Sequence, residues 1–398
     1  MINISNIKSD NAASKQGMAF LEFAFRPFFL LASLFSIFAL LLWNGTLTGE
    51  LSLNFYGGAL WWHMHEMLFG FVAAVIVGFL LTAVQNWTSV RSLNGKGLAA
   101  LVAVWLIARV LFFFPDSIPH WLIAFVDLAF LPCAALALAY PILKVKQWRN
   151  LMFIPILLIM AITNAAMHYG VAAQNYPLAN SASTAMVLLV TLVMCIMGGR
   201  VFPMFTANGT RTARVNAIAW LEKLVIGSTL LAVLAGFNFI ELPAILIAVI
   251  FFVAAAANAV RAFRWKIWVT MKTPLVWSLH VSYWCIAIGL FMYALSEITT
   301  AVSHSQAIHT LTVGAMGTMI LAMISRVSLG HTGRNIVVGK VMTIAFVALI
   351  LAFISRVFAG YWVSNYSHVI ATAVGFWVIG YGCFIVLYFP ILTKPRVR

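Results

Sequence analysis

Charged residues are scarce in this sequence. Only 8% of its 398 residues are charged, whereas 64% are hydrophobic and the mean hydropathy is +1.02. A soluble domain carries about 25% charged residues, which keep its surface hydrated. The composition therefore argues against a soluble globular protein, and it predicts that apolar side chains face lipid as well as one another.

Cysteine and the common catalytic motifs are also sparse. The cysteines occur singly, each in a different apolar run, at Cys133, Cys195, Cys285 and Cys383. Without a CxxC pair or a secreted-type framework, this pattern indicates neither disulfides nor a zinc site of known spacing. The sequence has no Walker loop, dinucleotide fingerprint or HExxH helix, which argues against nucleotide-driven transport and zinc proteolysis.

Long apolar segments dominate the chain. A spanning helix needs about 20 mostly apolar residues. Twelve such segments follow one another with short connections, at 27–44, 60–84, 98–114, 119–142, 151–172, 182–198, 219–238, 242–262, 275–296, 305–325, 337–359 and 367–391. We predict an all-α polytopic membrane bundle of about twelve helices, forming one integral membrane domain over 1–398. Within it, the bundle (27–391) lies between a polar N-terminal segment (1–26) without the apolar core of a cleavable signal and a short tail (392–398).

The basic residues predict the orientation of the bundle. Both termini and every even-numbered connection carry Lys or Arg, whereas no odd-numbered connection does. Four odd-numbered connections carry acids instead, at Glu50, Asp116, Glu241 and Glu297. The positive-inside rule then places both ends in the cytoplasm. The net charge of +15 marks one membrane face, and the distribution argues against nucleic acid as a partner.

Ionisable side chains inside hydrocarbon are costly, so each one is a candidate for function. Six of the segments place such residues in about the outer third of the membrane. The set comprises His63, His65, Glu66, Arg109, Asp127, Asn164, His168, His309 and Arg356. Because neutral imidazole binds haem iron and copper, the four histidines are candidate metal ligands, with Glu66, Asp127 and Asn164 as buried polar support.

Simpler interpretations exist for individual members of this set. Arg109 and Asp127 are also explained as a buried ion pair that neutralises both charges. Arg356 is also explained as a side chain that snorkels to the outer headgroups. A histidine such as His168 is often an ordinary hydrogen-bonding group.

The spacing of the first two histidines limits what they bind together. On a helix, His63 and Glu66 share a face, whereas His63 and His65 point about 160° apart. The two imidazoles therefore do not bind one ion unless the start of the segment is unwound. The sequence leaves this open.

Two further features have two interpretations each. The seam of Gly314, Gly317 and Thr318 either allows close helix packing or accommodates a flat macrocycle below His309. At the cytoplasmic face, Gly-rich loops with Arg and His either bind an anion or a propionate, or are tight turns that carry positive-inside charges. The candidate second cluster there is Arg200, His280, His331 and Arg334.

Several stretches resemble the NnrS family of bacterial membrane proteins. They lie at 25–29, 63–70, 81–88, 199–206, 280–283 and 309–334. The longest reads HTLTVGAMGTM followed by SRVSLGHTGR, and the stretches cover most of the chain. The resemblance implies a multi-spanning inner-membrane protein that contains haem and copper, is produced under nitric-oxide-responsive regulators and protects against nitrosative stress.

With that resemblance, the leading hypothesis is a haem protein, with copper as a second cofactor, that binds or processes nitric oxide or an iron–nitrosyl species in the bilayer. His63 or His65 together with His309 would ligate haem, and His168 would ligate copper or a second haem. Arg109 and Arg356 would pair with propionates, and an electron donor would be a further partner.

One alternative is a proton-coupled secondary transporter with Asp127, Arg109 and Glu66 as coupling residues, although carriers usually place their site near the midplane. The other is a sensor of nitric oxide or metal without turnover.

Overall fold

The computed structural model describes residues 19–238 and 240–397, and within these ranges it contains helices and no β-strand. The prediction of an all-α fold is confirmed. The major helices are α1 (Phe25–Leu47), α2 (Ala59–Thr88), α3 (Gly95–Leu111), α4 (His120–Lys144), α5 (Phe153–Ala172), α6 (Tyr176–Thr210), α7 (Ala219–Gly236), α8 (Ala244–Arg264), α9 (Pro274–Ile298), α10 (His304–His331), α11 (Lys340–Phe358) and α12 (Tyr366–Thr393). Most of the predicted N-terminal segment, including Lys8 and Lys15, lies outside the described residues, as does Arg398.

The helices agree with the predicted membrane segments. Eleven of them are long and apolar enough to cross a bilayer. The remaining predicted segment, 98–114, corresponds to α3, whose 17 residues lie at the lower end of the range of about 17–25 for spanning helices. Each predicted segment overlaps one helix, while the total of twelve spans and the cytoplasmic location of both termini stay predictions from the charge pattern.

Three helices begin at the predicted outer face with a side-chain cap. Asn175 accepts a hydrogen bond from the amide of Leu178 at the start of α6, and Asn365 caps α12 in the same way. Ser303 and Gln306 form a capping box at the start of α10. These caps satisfy amides that a helix leaves without partners in its first turn. The box also fixes where α10 begins, one and a half turns before His309.

The centre of the bundle is formed by a few helices that are largely shielded from lipid. In α2, 89% of the apolar span is buried, against 78% in α6 and 39% in α4, α7 and α8. The helices α1, α9 and α10 are also mostly buried. Polar residues on α2 therefore face protein rather than lipid.

Both α2 and α10 contain a wide π-type turn. In α2 it spans Glu66–Val72 and begins directly after His65. In α10 it spans Thr310–Gly317 and begins directly after His309. A π-turn adds one residue to the helical repeat and is common at functional sites. Each of the two turns therefore marks a histidine that the sequence had already singled out.

The first and last helices are joined at the predicted cytoplasmic end. Arg26, in the first turn of α1, is fully buried, and its Nη1 donates to the carbonyls of Leu392 at 3.0 Å and Lys394 at 2.6 Å. The amide of Val397 donates to the carbonyl of Thr332 at 3.0 Å. Arg26 and Leu392, assigned from the sequence to the polar segment and the tail, thus belong to the packed bundle.

Candidate functional site

A buried carboxylate on α4 is the centre of the polar site. Asp127 Oδ2 accepts a hydrogen bond from Asn164 Nδ2 at 2.7 Å and lies 3.1 Å from Nε2 of both His65 and His168. These side chains come from α2, α4 and α5, and none is more than 4% exposed. Together with Glu66 and Arg109, we call them the Asp127 cluster.

Arg109 faces two carboxylates in this cluster. Its Nη1 donates to Glu66 Oε1 and its Nη2 to Asp127 Oδ1, and all three side chains are buried. The simple Arg109–Asp127 pair considered from the sequence is therefore present, but it includes Glu66 as a third member. One guanidinium opposite two carboxylates leaves one negative charge uncompensated, which is costly away from water.

His65 lies where that charge can be balanced. Its Nδ1 is 2.8 Å from Glu66 Oε1, and its Nε2 is 2.8 Å from Asn164 Oδ1 as well as close to Asp127. A neutral imidazole donates through only one of its nitrogens, so it cannot satisfy acceptors on both sides. The geometry therefore calls for one additional positive charge, carried either by a bound proton or by a metal cation.

The cluster also provides a set of metal ligands. His65, Asp127 and His168 each offer a ligand atom, and these atoms lie within 4.8 Å of one another. Two imidazoles and a carboxylate form a donor set that transition metals use. The second nitrogen of each imidazole also has a partner, Glu66 for His65 and the hydroxyl of Tyr56 at 3.1 Å for His168. Such outer partners fix the tautomer and orientation of ligating histidines.

Aromatic rings enclose the two imidazoles. Trp61 stacks on His65 with ring centroids 4.6 Å apart, and its indole nitrogen donates to the carbonyl of Met167 at 3.1 Å. Phe112 stacks on His168 at 6.0 Å and also lies under the guanidinium of Arg109. These contacts hold the rings in place and exclude water, which strengthens the electrostatic interactions inside the cluster.

Tyr56 is a member of the site that the sequence analysis missed. It lies in the connection between α1 and α2 and is only 1% exposed, because its amide donates to the carbonyl of Phe112 and draws the connection into the bundle. Burial raises the pKa of Tyr56 to about 12, so the phenol that faces His168 stays protonated. A tyrosine near a membrane interface is too common to be a signal by itself.

His63 and His309 lie apart from the Asp127 cluster and near Arg356. The imidazole of His63 stacks on Trp43 at 4.5 Å, and its Nδ1 is buried without a hydrogen-bond partner among the described residues. His309 Nδ1 donates to the carbonyl of Ser305 at 2.7 Å, which leaves Nε2 available. His309 and Arg356 both contact Ser305, the imidazole at its carbonyl and the guanidinium at its hydroxyl. We call these three residues the His63 group.

The two histidines of α2 thus belong to different sets. The helix is regular over Ala59–His65, so the segment is not unwound. His65 faces α4 and α5, whereas His63 faces α1. This is the opposition that helical spacing predicted.

The glycine seam of α10 packs against protein. A side-chain carbon added at Gly314 would meet Phe353 at 2.9 Å and Cys285 at 3.1 Å, and one added at Gly317 would meet Trp377 at 2.6 Å. The helix-packing interpretation is therefore correct. The space that a macrocycle against this seam would need is occupied by these side chains.

The four residues of the candidate cytoplasmic cluster have different neighbours. The contacts pair Arg200 with Asn150, His280 with Thr206, His331 with Phe25, and Arg334 with Thr332. None of these contacts joins one member of the cluster to another. A shared anion site at this face stays a prediction.

Comparison with protein families decides the classification. The family described as NnrS protein matches residues 19–396, nearly the whole chain. The chain belongs to the NnrS family. A comparison with curated proteins found no match. Every residue of the Asp127 cluster and of the His63 group lies within the part of the chain that matches NnrS.

Proposed function

We propose that this NnrS-family protein is a copper- and haem-containing protein of the bacterial inner membrane that binds or processes nitric oxide, or an iron–nitrosyl species derived from it, and thereby protects against nitrosative stress. The observation that carries the proposal is the buried donor set of His65, Asp127 and His168. Nitric oxide is a small uncharged diatomic that dissolves in lipid. It reaches a site enclosed by apolar helices without a polar channel.

Copper fits the Asp127 cluster by ligand type and by charge. Imidazole is a good ligand for copper, and His65 and His168 both turn Nε2 towards Asp127. A cuprous ion would supply the single positive charge that Arg109 leaves missing beside Glu66 and Asp127. When bound, copper supplies one-electron redox chemistry. The protein's own part is to orient the imidazoles and to exclude water.

The His63 group fits haem iron. His63 has a buried ring nitrogen without a partner, and His309 keeps Nε2 available because Nδ1 is bonded to Ser305. Neutral imidazoles of this kind are common axial ligands. The guanidinium of Arg356, which also donates to Ser305 Oγ at 3.2 Å, suits a propionate. Arg109, expected from the sequence to pair with a propionate, donates to Glu66 and Asp127, so Arg356 is the better candidate for that role.

A proton-coupled carrier is the competing function. The uncompensated charge among Glu66, Arg109 and Asp127 is also what a coupling proton requires. Carriers usually use discontinuous helices near the bilayer midplane. Here α2 continues through the site and is interrupted only by its wide turn. We therefore favour the metal centre.

Metal content and the optical spectrum of the purified protein test the proposal. We expect His63→Ala and His309→Ala to abolish the Soret band and to leave copper in place. His65→Ala and His168→Ala should remove copper and leave the Soret band. His368→Ala, at an exposed histidine of α12, is the control and should change neither.

A folded wild-type protein that lacks both colour and copper would contradict the proposal and favour the carrier. Nitric oxide consumption, measured with an electron donor present, distinguishes turnover from sensing.

A further inference from the structure

A partly enclosed cavity of about 110 Å³ lies at the predicted cytoplasmic face, between the end of α6 and the connections that follow α6 and α8. Its lining includes Thr206 near the end of α6, Thr212 in the α6–α7 connection, and Trp265 and Lys266 in the α8–α9 connection. None of the lining residues belongs to the Asp127 cluster or to the His63 group.

Thr206 differs from many threonines of the bundle in the partner of its hydroxyl. Thr82, Thr88 and Thr191 donate to the carbonyl four residues earlier in the same helix. Thr206 instead bonds to Nε2 of His280 on α9 at 2.8 Å, and the two residues are only 5% and 2% exposed. A hydroxyl has one hydrogen to donate and two lone pairs, so this single partner leaves it able to bond a ligand in the cavity.

The charges around the cavity are of one sign. Lys266 lines it, and the connections over 211–218 and 265–273 contain no acidic residue. They also contain Arg211, Arg214 and Lys272. The acid in the first turn of α7, Glu222, is paired with Arg261 at 2.7 Å. The electrostatic potential of the cavity therefore favours an anion.

The backbone of the α6–α7 connection supplies further donors. Among the described residues, the amides of Thr212, Ala213 and Val215 have no hydrogen-bond partner, and all three residues line the cavity. The guanidinium of Arg264 donates to the carbonyl of Asn216 at 3.1 Å, which ties this connection to the end of α8. Free amides in a loop, together with a hydroxyl and an ammonium group, are a common way of binding phosphate oxygens.

We infer that this cavity binds a phosphate group. Lys266 supplies the counter-charge, and the hydroxyl of Thr206 and the loop amides supply directional donors to several oxygens. The phosphate belongs either to a free anion or to the headgroup of an anionic phospholipid. The second source is relevant because Trp268, two residues after Lys266, is 52% exposed, and tryptophan is enriched at the level of the headgroups.

Equilibrium dialysis of the detergent-purified full-length protein against radiolabelled orthophosphate, at constant ionic strength, tests the site. We expect saturable binding of one phosphate per chain. Lys266→Asn removes the charge and suits the backbone φ of +59°, because asparagine adopts this conformation readily. It should weaken binding by about tenfold or more, the effect of losing a charge-assisted hydrogen bond. Thr206→Val, which removes only the hydroxyl, should also weaken binding.

Two control variants make the comparison specific. Lys272→Asn removes an equal charge from the same connection, at a residue that does not line the cavity, and should leave the affinity unchanged. Thr372→Val, at an exposed threonine of α12, is the control for Thr206→Val and should also bind normally.

A labelling experiment on the wild-type protein gives a second measurement that needs no substitution. Orthophosphate should slow acetylation of the Lys266 amine, measured by peptide mass spectrometry, and should leave the rate at Lys272 unchanged. Equal rates with and without phosphate at Lys266 would contradict the site even if a variant failed to fold.

Dioctanoyl phosphatidic acid distinguishes the two sources of the phosphate group. Lipid binding that is lost in Lys266→Asn identifies a headgroup as the ligand, whereas orthophosphate binding without competition by the lipid identifies a free anion. Two results would overturn the inference: no saturable binding of either probe, or equal weakening by Lys266→Asn and Lys272→Asn. Neither depends on haem or copper, so the outcome is independent of the proposed function.

Discussion

At the scale of single residues, Arg109 is the counter-charge of two buried carboxylates. Its guanidinium is 3% exposed and contacts both Glu66 and Asp127. We expect Arg109→Gln to lower the free energy of unfolding by about 3–5 kcal/mol, because it leaves buried carboxylates without a counter-charge. The thermal unfolding temperature in detergent measures this effect.

Two further variants check the cause of that loss. Adding Asp127→Asn to Arg109→Gln should restore part of the stability, because it removes one of the uncompensated charges. Arg91→Gln, at an exposed residue of a connection, should leave the unfolding temperature unchanged. A double variant less stable than Arg109→Gln alone would show that charge is not the cause.

Tyr56 gives a pH dependence with a defined sign. The phenol has a pKa of about 12 in the folded protein, against 10.0 as its ordinary value. Between about pH 10 and pH 12 the unfolded chain releases this proton while the folded protein keeps it, so the folded state loses stability as the pH rises. Below pH 10 this residue contributes no pH dependence.

The measurement compares unfolding temperatures of the wild-type protein and Tyr56→Phe from pH 8 to pH 12. The difference between the two proteins should be constant up to about pH 10 and should then change in favour of Tyr56→Phe. A constant difference over the whole range would mean that the phenol is accessible to water in the folded protein.

The sequence predicted the residues of the site better than their partners. Depth along each segment was enough to select His65, Asp127 and His168, because helical rise is regular. Which side chains meet depends on how each helix is rotated, and apolar periodicity defines rotation poorly when lipid and protein are both apolar. Asp127 was therefore predicted as polar support and lies among the ligand atoms, while Tyr56 was missed.

At the scale of helices, close packing around the wide turn of α2 depends on Gly70. A side-chain carbon there would lie 2.5 Å from Phe35 and 3.0 Å from Nη1 of Arg109. We expect Gly70→Ala to lower the free energy of unfolding by about 1–3 kcal/mol, because Phe35 and Arg109 would have to move. Thermal unfolding again provides the measurement, and copper content should fall with it.

Gly227 on α7 is the matched control for Gly70→Ala. A side-chain carbon at Gly227 would meet nothing within 4 Å. Gly227→Ala should therefore stabilise the protein by about 0.5–1 kcal/mol, the difference in helix propensity between the two residues. Equal effects of the two substitutions would show that packing at Gly70 is not tight.

The helices themselves were predictable, whereas their wide turns were not. Twelve apolar segments became helices because hydrocarbon leaves the backbone no other way to satisfy its hydrogen bonds. A π-turn depends on the packing of neighbouring helices rather than on local sequence. The turns after His65 and His309 therefore had no sequence signal apart from the histidines themselves.

At the scale of the whole molecule, the orientation of the bundle in the membrane is still a prediction from the distribution of Lys and Arg. A fluorescent protein fused to the C-terminus should fluoresce, because it would stay in the cytoplasm. Alkaline phosphatase inserted after Asp116, between α3 and α4, should be active, because it would reach the periplasm. The opposite outcome, a dark C-terminal fusion and an inactive phosphatase, would contradict both the orientation and the number of spans. The same holds if both reporters are active when they are fused at the same position.

The contacts of Arg26 couple parts of the protein that are far apart in the sequence. The residue lies in the first turn of α1, and its guanidinium donates to the carbonyls of Leu392, near the end of α12, and of Lys394, just after that helix. Because this guanidinium is buried, losing those acceptors would leave charged donors without partners, which is costly. A change in the last turn of α12 is therefore expected to loosen the beginning of α1.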